Sequence, residues 1–204
     1  MKLTKIAVTG GPCAGKTEGL RRLRAEIPNT PECRLLFIPE TATELISGGV
    51  APFTCGSNRE YQVCQIKLQL QKEHIFEEAA RTMRDVSHIV LVCDRGAMDN
   101  RAYMNDEETA WVMDRLEMDE RELASGYDAV FFLETAARTD PGLFSKEGND
   151  ARWESSPDEA VRLDTLTRSA WEKGTDVKVI PSNLDFEEKM NRFVEAVKAF
   201  LAEC

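Results

Sequence analysis

Residues Val8 to Gly19 read VTGGPCAGKTEG, and no other stretch restricts the possible folds as tightly. Gly10, four intervening residues, then Gly15, Lys16 and Thr17 fit the pattern G-x-x-x-x-G-K-[ST], in which backbone N–H groups wrap the phosphate chain of a nucleotide. Glycine permits that wrap because it reaches backbone angles closed to residues with a Cβ. The pattern assigns Lys16 to the β- and γ-phosphates and the Thr17 hydroxyl to the Mg2+ that accompanies them, with Gly11, Pro12, Cys13 and Ala14 completing the loop. Cys13 reads there as a small filler.

The flanks decide between a phosphate cradle and an ordinary turn. LTKIAVT, before the loop, is apolar and β-branched, as a strand is. TEGLRRLRAEI, after it, repeats Leu20, Leu23 and Ile27 at helical spacing, and a helix starting there aims its first-turn N–H groups at an anion. RLLFIPE, HIVLVCD, YDAVFFLE and DVKVIPS predict four more strands. NREYQVCQIKLQLQKEHIFEEAARTM predicts a long helix. Others follow through Trp111 and Leu116, after a cap at Asp119, through Leu163, Leu166 and Trp171, and on a last apolar face from Met190 to Leu201. Strands alternating with helices predict an α/β fold of three layers, a five-stranded parallel sheet with helices on both faces. The polar stretch at about residues 137–157 has the composition of a lid.

With 204 residues, 42% of them hydrophobic, the chain suffices for one full core, and one domain over residues 1–204 is expected. No run approaches the roughly 18 apolar residues of a membrane span, and MKLTKIAVTG turns to strand too soon for a secretion signal, so a cytoplasmic protein is expected. A net charge of −10 argues against a broad nucleic-acid surface. Much of that acidity lies between Asn105 and Glu122 and reads as a solvated helical face. The six cysteines form no C-x-x-C pair, which argues against zinc and against a disulfide framework. His74 and His88 read as structural.

Parallel sheets bind ligands beyond the carboxyl ends of their strands. That edge would hold the glycine loop after strand one, Glu40 after strand two, Asp94 and Arg95 after strand three, and the start of the lid after strand four. Asp94 at that place suits Mg2+ or a proton, and Arg95 suits a phosphate or an anionic substrate group. Glu40 suits the base that takes a proton from an attacking hydroxyl; the choice of base between Glu40 and Asp94 stays open. Asp99 and Arg101 read either as acceptor-reading groups or as a surface ion pair. In the lid, Arg138, Lys146 and Arg152 are candidates to neutralise charge in transfer, with Arg152 taken as the catalytic one.

GGPCAGKT, IPETATELI, CDRGAMDNRAYMNDEE, YDAVFFLETAA, NDARWESSPDEAVRLDTLTRSAW and VIPSNLDFEEKM together resemble, in order and spacing, the AAA-type P-loop domain family. That family includes the domain of the TRPL translocation defect protein and is related to the ribosylnicotinamide kinase domain of NadR. The DRG step also resembles the acid-arginine step of thymidylate and deoxynucleoside kinases. The resemblance implies a nucleotide-kinase-like fold with the DR strand beside the phosphate-loop strand. It implies phosphate and metal roles for Lys16, Thr17, Asp94 and Arg95, a kinase carboxylate at Glu40, and an adenine site at the backbone near Ser182 and Asn183.

The expected function is an ATP- and Mg2+-dependent kinase acting on a small nucleoside-like or other hydroxyl-bearing acceptor. Its specificity would lie around residues 40–53 and 99–103. The alternative is an ATP- or GTP-dependent switch read by a partner. The chain lacks an N-K-x-D guanine-reading motif, although GTP remains open.

Overall fold

The structure is a computed structural model and describes residues 1–143 and 156–204. Five strands are formed: β1 Lys2–Thr9, β2 Cys33–Ile38, β3 His88–Asp94, β4 Ala129–Leu133 and β5 Val177–Ile180. They make one parallel sheet in the order β2-β3-β1-β4-β5. Val8 pairs with Asp94 and Thr9 with Phe132, so the two most buried strands flank β1 and end beside the glycine loop. The expected adjacency of the DR strand and the loop strand is therefore present.

The helices are α1 Lys16–Glu26, α2 Thr41–Ser47, α3 Asn58–Thr82, α4 Asp106–Leu116, α5 Glu120–Ser125, α6 Pro157–Trp171 and α7 Phe186–Glu203, with a 3-10 turn at Ala97–Tyr103. Side chains alternate across a strand, and this divides the core in two. Ile6, Val8, Val90, Val92 and Phe131 point to one face, where Leu20 and Leu23 of α1 and Phe193, Val194 and Val197 of α7 cover them. Ile89, Leu91, Cys93 and Val130 point to the other, against Ile66 of α3, Val112 of α4 and Trp171 of α6. Each such fully buried side chain contributes about 1.5–3 kcal/mol by leaving water.

Local chemistry sets the helix starts. Ser57, Asn105, Asp119, Ser156 and Asp185 each accept a bond from a backbone N–H in the first turn of α3, α4, α5, α6 and α7. The cap read at Asp119 is present. The helix α2 was not expected, because seven residues carry too short a period to stand out from a loop. Leu166, read as an apolar marker of α6, is 40% exposed.

Candidate active site

The loop joining β1 to α1 is shaped by packing as well as by φ. Gly10 stands at φ 144°, and a Cβ there would lie 2.0 Å from the Leu133 carbonyl oxygen at the end of β4. A Cβ on Gly11 would lie 2.7 Å from the Asp164 Cβ on α6. The glycine pair thus lets the sheet and α6 close onto the loop. Gly15 is the N-cap of α1 and no side chain caps that helix, so its first turn keeps the positive end of the helix open to an anion. Lys16 Nζ donates to the carbonyls of Gly10 and Gly11, each at 3.0 Å. Burial, with Arg95 nearby, brings its pKa down to about 8 against the pull of Glu40, Asp94 and Asp99.

Two buried charges hold the loop from behind. Asp164 on α6 accepts from Gly11 N and Thr135 N, both at 2.9 Å, and from Arg138 Nη2 at 3.0 Å. Thr135 Oγ1 donates to the Pro12 carbonyl. Lys189 on α7 donates to the Ala14 carbonyl at 2.9 Å and to the Glu134 carbonyl at 2.5 Å. Burial lowers its pKa to about 8 despite the charges of Asp164 and Glu134. Neither residue was singled out in the sequence. The available signal was a charge in the apolar phase of a helix: Asp164 lies four residues after buried Ala160, and Lys189 four before buried Phe193.

At the ends of β2 and β3 the acidic and basic groups converge. Arg95 Nε donates to Glu40 Oε1 at 2.5 Å, and its Nη1 donates to the Gly10 carbonyl at 3.2 Å and to Asp99 Oδ1 at 3.3 Å. Glu40 occupies the N-cap position of α2, but its carboxylate does not cap; Oε2 accepts from Thr43 Oγ1 at 2.6 Å. Burial pushes the Glu40 pKa up, yet Arg95, Thr43 and Lys16 together outweigh it and hold it at about 2. Asp94 goes the other way, raised by burial and by the Glu40 charge. Its Oδ1 is buried with no hydrogen-bond partner among the described residues.

A cavity of about 810 Å³ joins these parts. Its lining includes residues 12–17, Glu40, Asp94, Arg95 and Asp99, and it continues along α2, along Tyr61 and Gln62 of α3, and to Arg162 of α6. Its size suits a small organic ligand. The structure corrects one of the two readings of Asp99: it lines the cavity but is not a surface group. It is 2% exposed and accepts from Thr9 Oγ1, Gly96 N, Arg95 Nη1 and Trp171 Nε1. Arg101 pairs with Asp106 and Glu120 outside the cavity lining.

Of the lid candidates, Arg138 is engaged by Asp164 and Thr165, and Lys146 and Arg152 lie outside the described residues. Asn183 is exposed in the turn after β5 and is not part of the cavity lining. His88 Nε2 shares a 2.9 Å hydrogen bond with Thr4 Oγ1, and His74 faces Glu78 on the outside of α3. None of the six cysteines is in a disulfide. No helix among the described residues is long and apolar enough to cross a membrane.

Residues 5–189 match the AAA domain family, a span that runs from β1 through the loop, Glu40, Asp94, Arg95 and Asp164 to Lys189. The chain belongs to that family. No curated protein matches this AAA domain in sequence. Among solved structures it is similar to deoxyadenosine kinase from M. mycoides with bound dATP, at a TM-score of 0.60 and 12% identity over 96% of this chain and 99% of that one. The same kinase with bound dCTP superposes at a TM-score of 0.62 and 12% identity, over 96% and 100% of the two chains. At that identity the likeness is one of fold, and it makes this AAA domain nucleotide-kinase-like in architecture.

Proposed function

We propose that this AAA domain is an ATP- and Mg2+-dependent phosphotransferase that moves the γ-phosphoryl group onto a hydroxyl of a small, nucleoside-like acceptor. One observation carries the reading: the Glu40–Arg95 pair and the phosphate loop line the same cavity, which runs on past Glu40 along α2 and α3. A loop that only bound and released a nucleotide has no need of a carboxylate facing a second compartment.

The loop N–H groups and Lys16 bind the triphosphate. The acceptor hydroxyl, placed against Glu40, attacks the γ-phosphorus; its proton passes to the Glu40 carboxylate, and the bridging oxygen leaves with ADP. Arg95 fixes the orientation of that carboxylate. A carboxylate held at about pKa 2 is a weak base, which suits a loose transition state in which the proton leaves late. The chain fits Mg2+ at Asp94 and Thr17: the carboxylate oxygen Oδ1 lacks a partner, and Thr17 is exposed where it lines the cavity. No group of three or more His, Cys, Asp or Glu residues able to hold a metal exists among the described residues, so nucleotide phosphates would complete the shell. When bound, the ion neutralises charge on the β- and γ-phosphates.

The motif resemblance to a ribosylnicotinamide kinase domain and the dATP and dCTP bound by the similar deoxyadenosine kinase make nucleosides the first acceptors to test. Incubation with labelled ATP or GTP, Mg2+ and a panel of nucleosides, nucleotides and ribosylnicotinamide should yield a labelled acceptor. A blank panel, joined to nucleotide-dependent capture of a macromolecule, would replace this reading by the switch.

A further inference from the structure

Outside the cavity lining, four buried side chains, Thr41, Gln69, Glu73 and Tyr127, form a polar network that the proposed chemistry does not touch. Glu73 of α3 is 2% exposed. Its Oε1 accepts from Tyr127 Oη at 2.5 Å and from Gln69 Nε2 at 2.7 Å, and its Oε2 accepts from Lys5 Nζ at 2.9 Å. Each arm continues outward. Gln69 Oε1 accepts from the Thr41 hydroxyl at 2.5 Å, and Tyr127 Oη accepts from the Ala97 N–H at 2.9 Å.

The donors all point one way. Glu73 accepts the Gln69 amide N–H, so the Gln69 oxygen is turned to Thr41 and the Thr41 hydroxyl must donate. Burial and the Glu73 charge push the Tyr127 phenol well above its usual pKa, so it keeps its proton and donates to Glu73. Thr41 to Gln69 to Glu73, and Ala97 to Tyr127 to Glu73, are thus two chains of hydrogen bonds converging on one anion, each bond polarising the next.

Where the arms end gives the network its meaning. Thr41 follows Glu40 directly and is the first residue of α2. Ala97 stands two residues after Arg95 and opens the 3-10 turn. Since Glu40 and Arg95 are themselves bonded at 2.5 Å, the path closes into a ring: Glu40, Thr41, Gln69, Glu73, Tyr127, Ala97, Gly96, Arg95 and back. A buried carboxylate is costly to desolvate, and the Lys5 partner, which also holds Glu77 at 2.9 Å, offsets part of that cost.

We propose that Glu73 is a positioning residue, the anchor that sets the end of β2 against the end of β3 so that the Glu40–Arg95 pair keeps its geometry. The inference rests on the phosphotransferase reading for its consequence in catalysis, and on geometry alone for the mechanical coupling.

Thr41→Val cuts one arm at nearly constant volume, Thr41→Ser keeps it, and Tyr127→Phe cuts the other arm. Two measurements on the full chain separate the ring from mere packing. Amide hydrogen exchange of Ala97, on the arm opposite to Thr41, should accelerate about tenfold in Thr41→Val and return in Thr41→Ser. In turnover, Thr41→Val should lower kcat roughly tenfold with the KM for ATP unchanged, and the Thr41→Val/Tyr127→Phe double variant should lose clearly less than the product of the two single losses. Unchanged Ala97 exchange in Thr41→Val, or multiplicative kcat losses, would overturn the ring. Should the wild type transfer no phosphoryl group while Ala97 still responds to Thr41, the ring stands and the phosphotransferase reading falls.

Discussion

Arg95 Nε and Glu40 Oε1 lie 2.5 Å apart, joining the residue that follows β3 to the second residue after β2. The same guanidinium reaches the Gly10 carbonyl of the loop, so one planar fork registers the carboxylate against the phosphate cradle. Arg95→Lys keeps the charge but loses the fork, and kcat should fall by about 10²-fold or more, with little change in the KM for ATP. The pair also bears on acid stability. Glu40 titrates at about 2 in the folded chain, below its ordinary 4.5, so its stabilisation is full above about pH 4.5 and fades as pH falls toward 2. Urea unfolding of the wild type and Arg95→Met between pH 3 and 7 should show the difference in stability shrinking toward the acid end. A constant difference would mean that Arg95 acts by packing.

Asp94→Asn should leave the fold intact and abolish turnover. Burial and Glu40 already disfavour the charged form of Asp94, so the neutral amide removes a cost and the melting temperature should hold or rise. Calorimetric titration of Mg2+ and ATP should show the metal dependence of binding lost. Full activity in this variant would make Asp94 a structural group.

Lys16 titrates at about 8 before any phosphate is near. A bound polyphosphate favours the ammonium, raising that pKa, so binding of metal-free ATP between pH 8 and 9 should take up protons. The sign is read from calorimetry in two buffers of different ionisation enthalpy. At pH 6.5, where the side chain is already charged, the uptake should vanish; equal uptake at both pH values would assign it to another group.

Gly10→Ala and Gly15→Ala test two different demands on glycine. At Gly10 the added methyl would meet the rigid Leu133 carbonyl at 2.0 Å, and a loss of about 3 kcal/mol or more is expected. At Gly15 it would meet the flexible end of Met190 at 3.0 Å, so the cost is mostly that of the left-handed φ of 90°, about 1–2 kcal/mol. Urea midpoints at fixed slope report both. Equal losses would show that the Leu133 contact yields.

Much of this architecture was legible because its causes are local. A β-branched run, a glycine loop and a helical repeat specify β1, the cradle and α1 by backbone angle and period, whatever surrounds them. Continuous apolar runs marked the buried strands, and acids at strand ends marked Glu40 and Asp94. The two ends of the expected lid appear as the 3-10 turn Ala136–Arg138 and the start of α6. What the sequence determined by itself, then, was the presence of these elements and the one sheet edge on which their polar ends meet.

Only the tertiary structure decided which of those polar groups touch. Asp99 became a buried acceptor of four donors because Trp171, 72 residues away, and Thr9, 90 residues away, close over it. Asp164 and Lys189 found the loop from helices distant in the chain, and Glu73 gathered Tyr127 and Lys5 directly and Thr41 through Gln69. Hydrogen bonds act over about 3 Å and carry no trace in sequence spacing when their partners are joined only by the packing of a sheet against its helices.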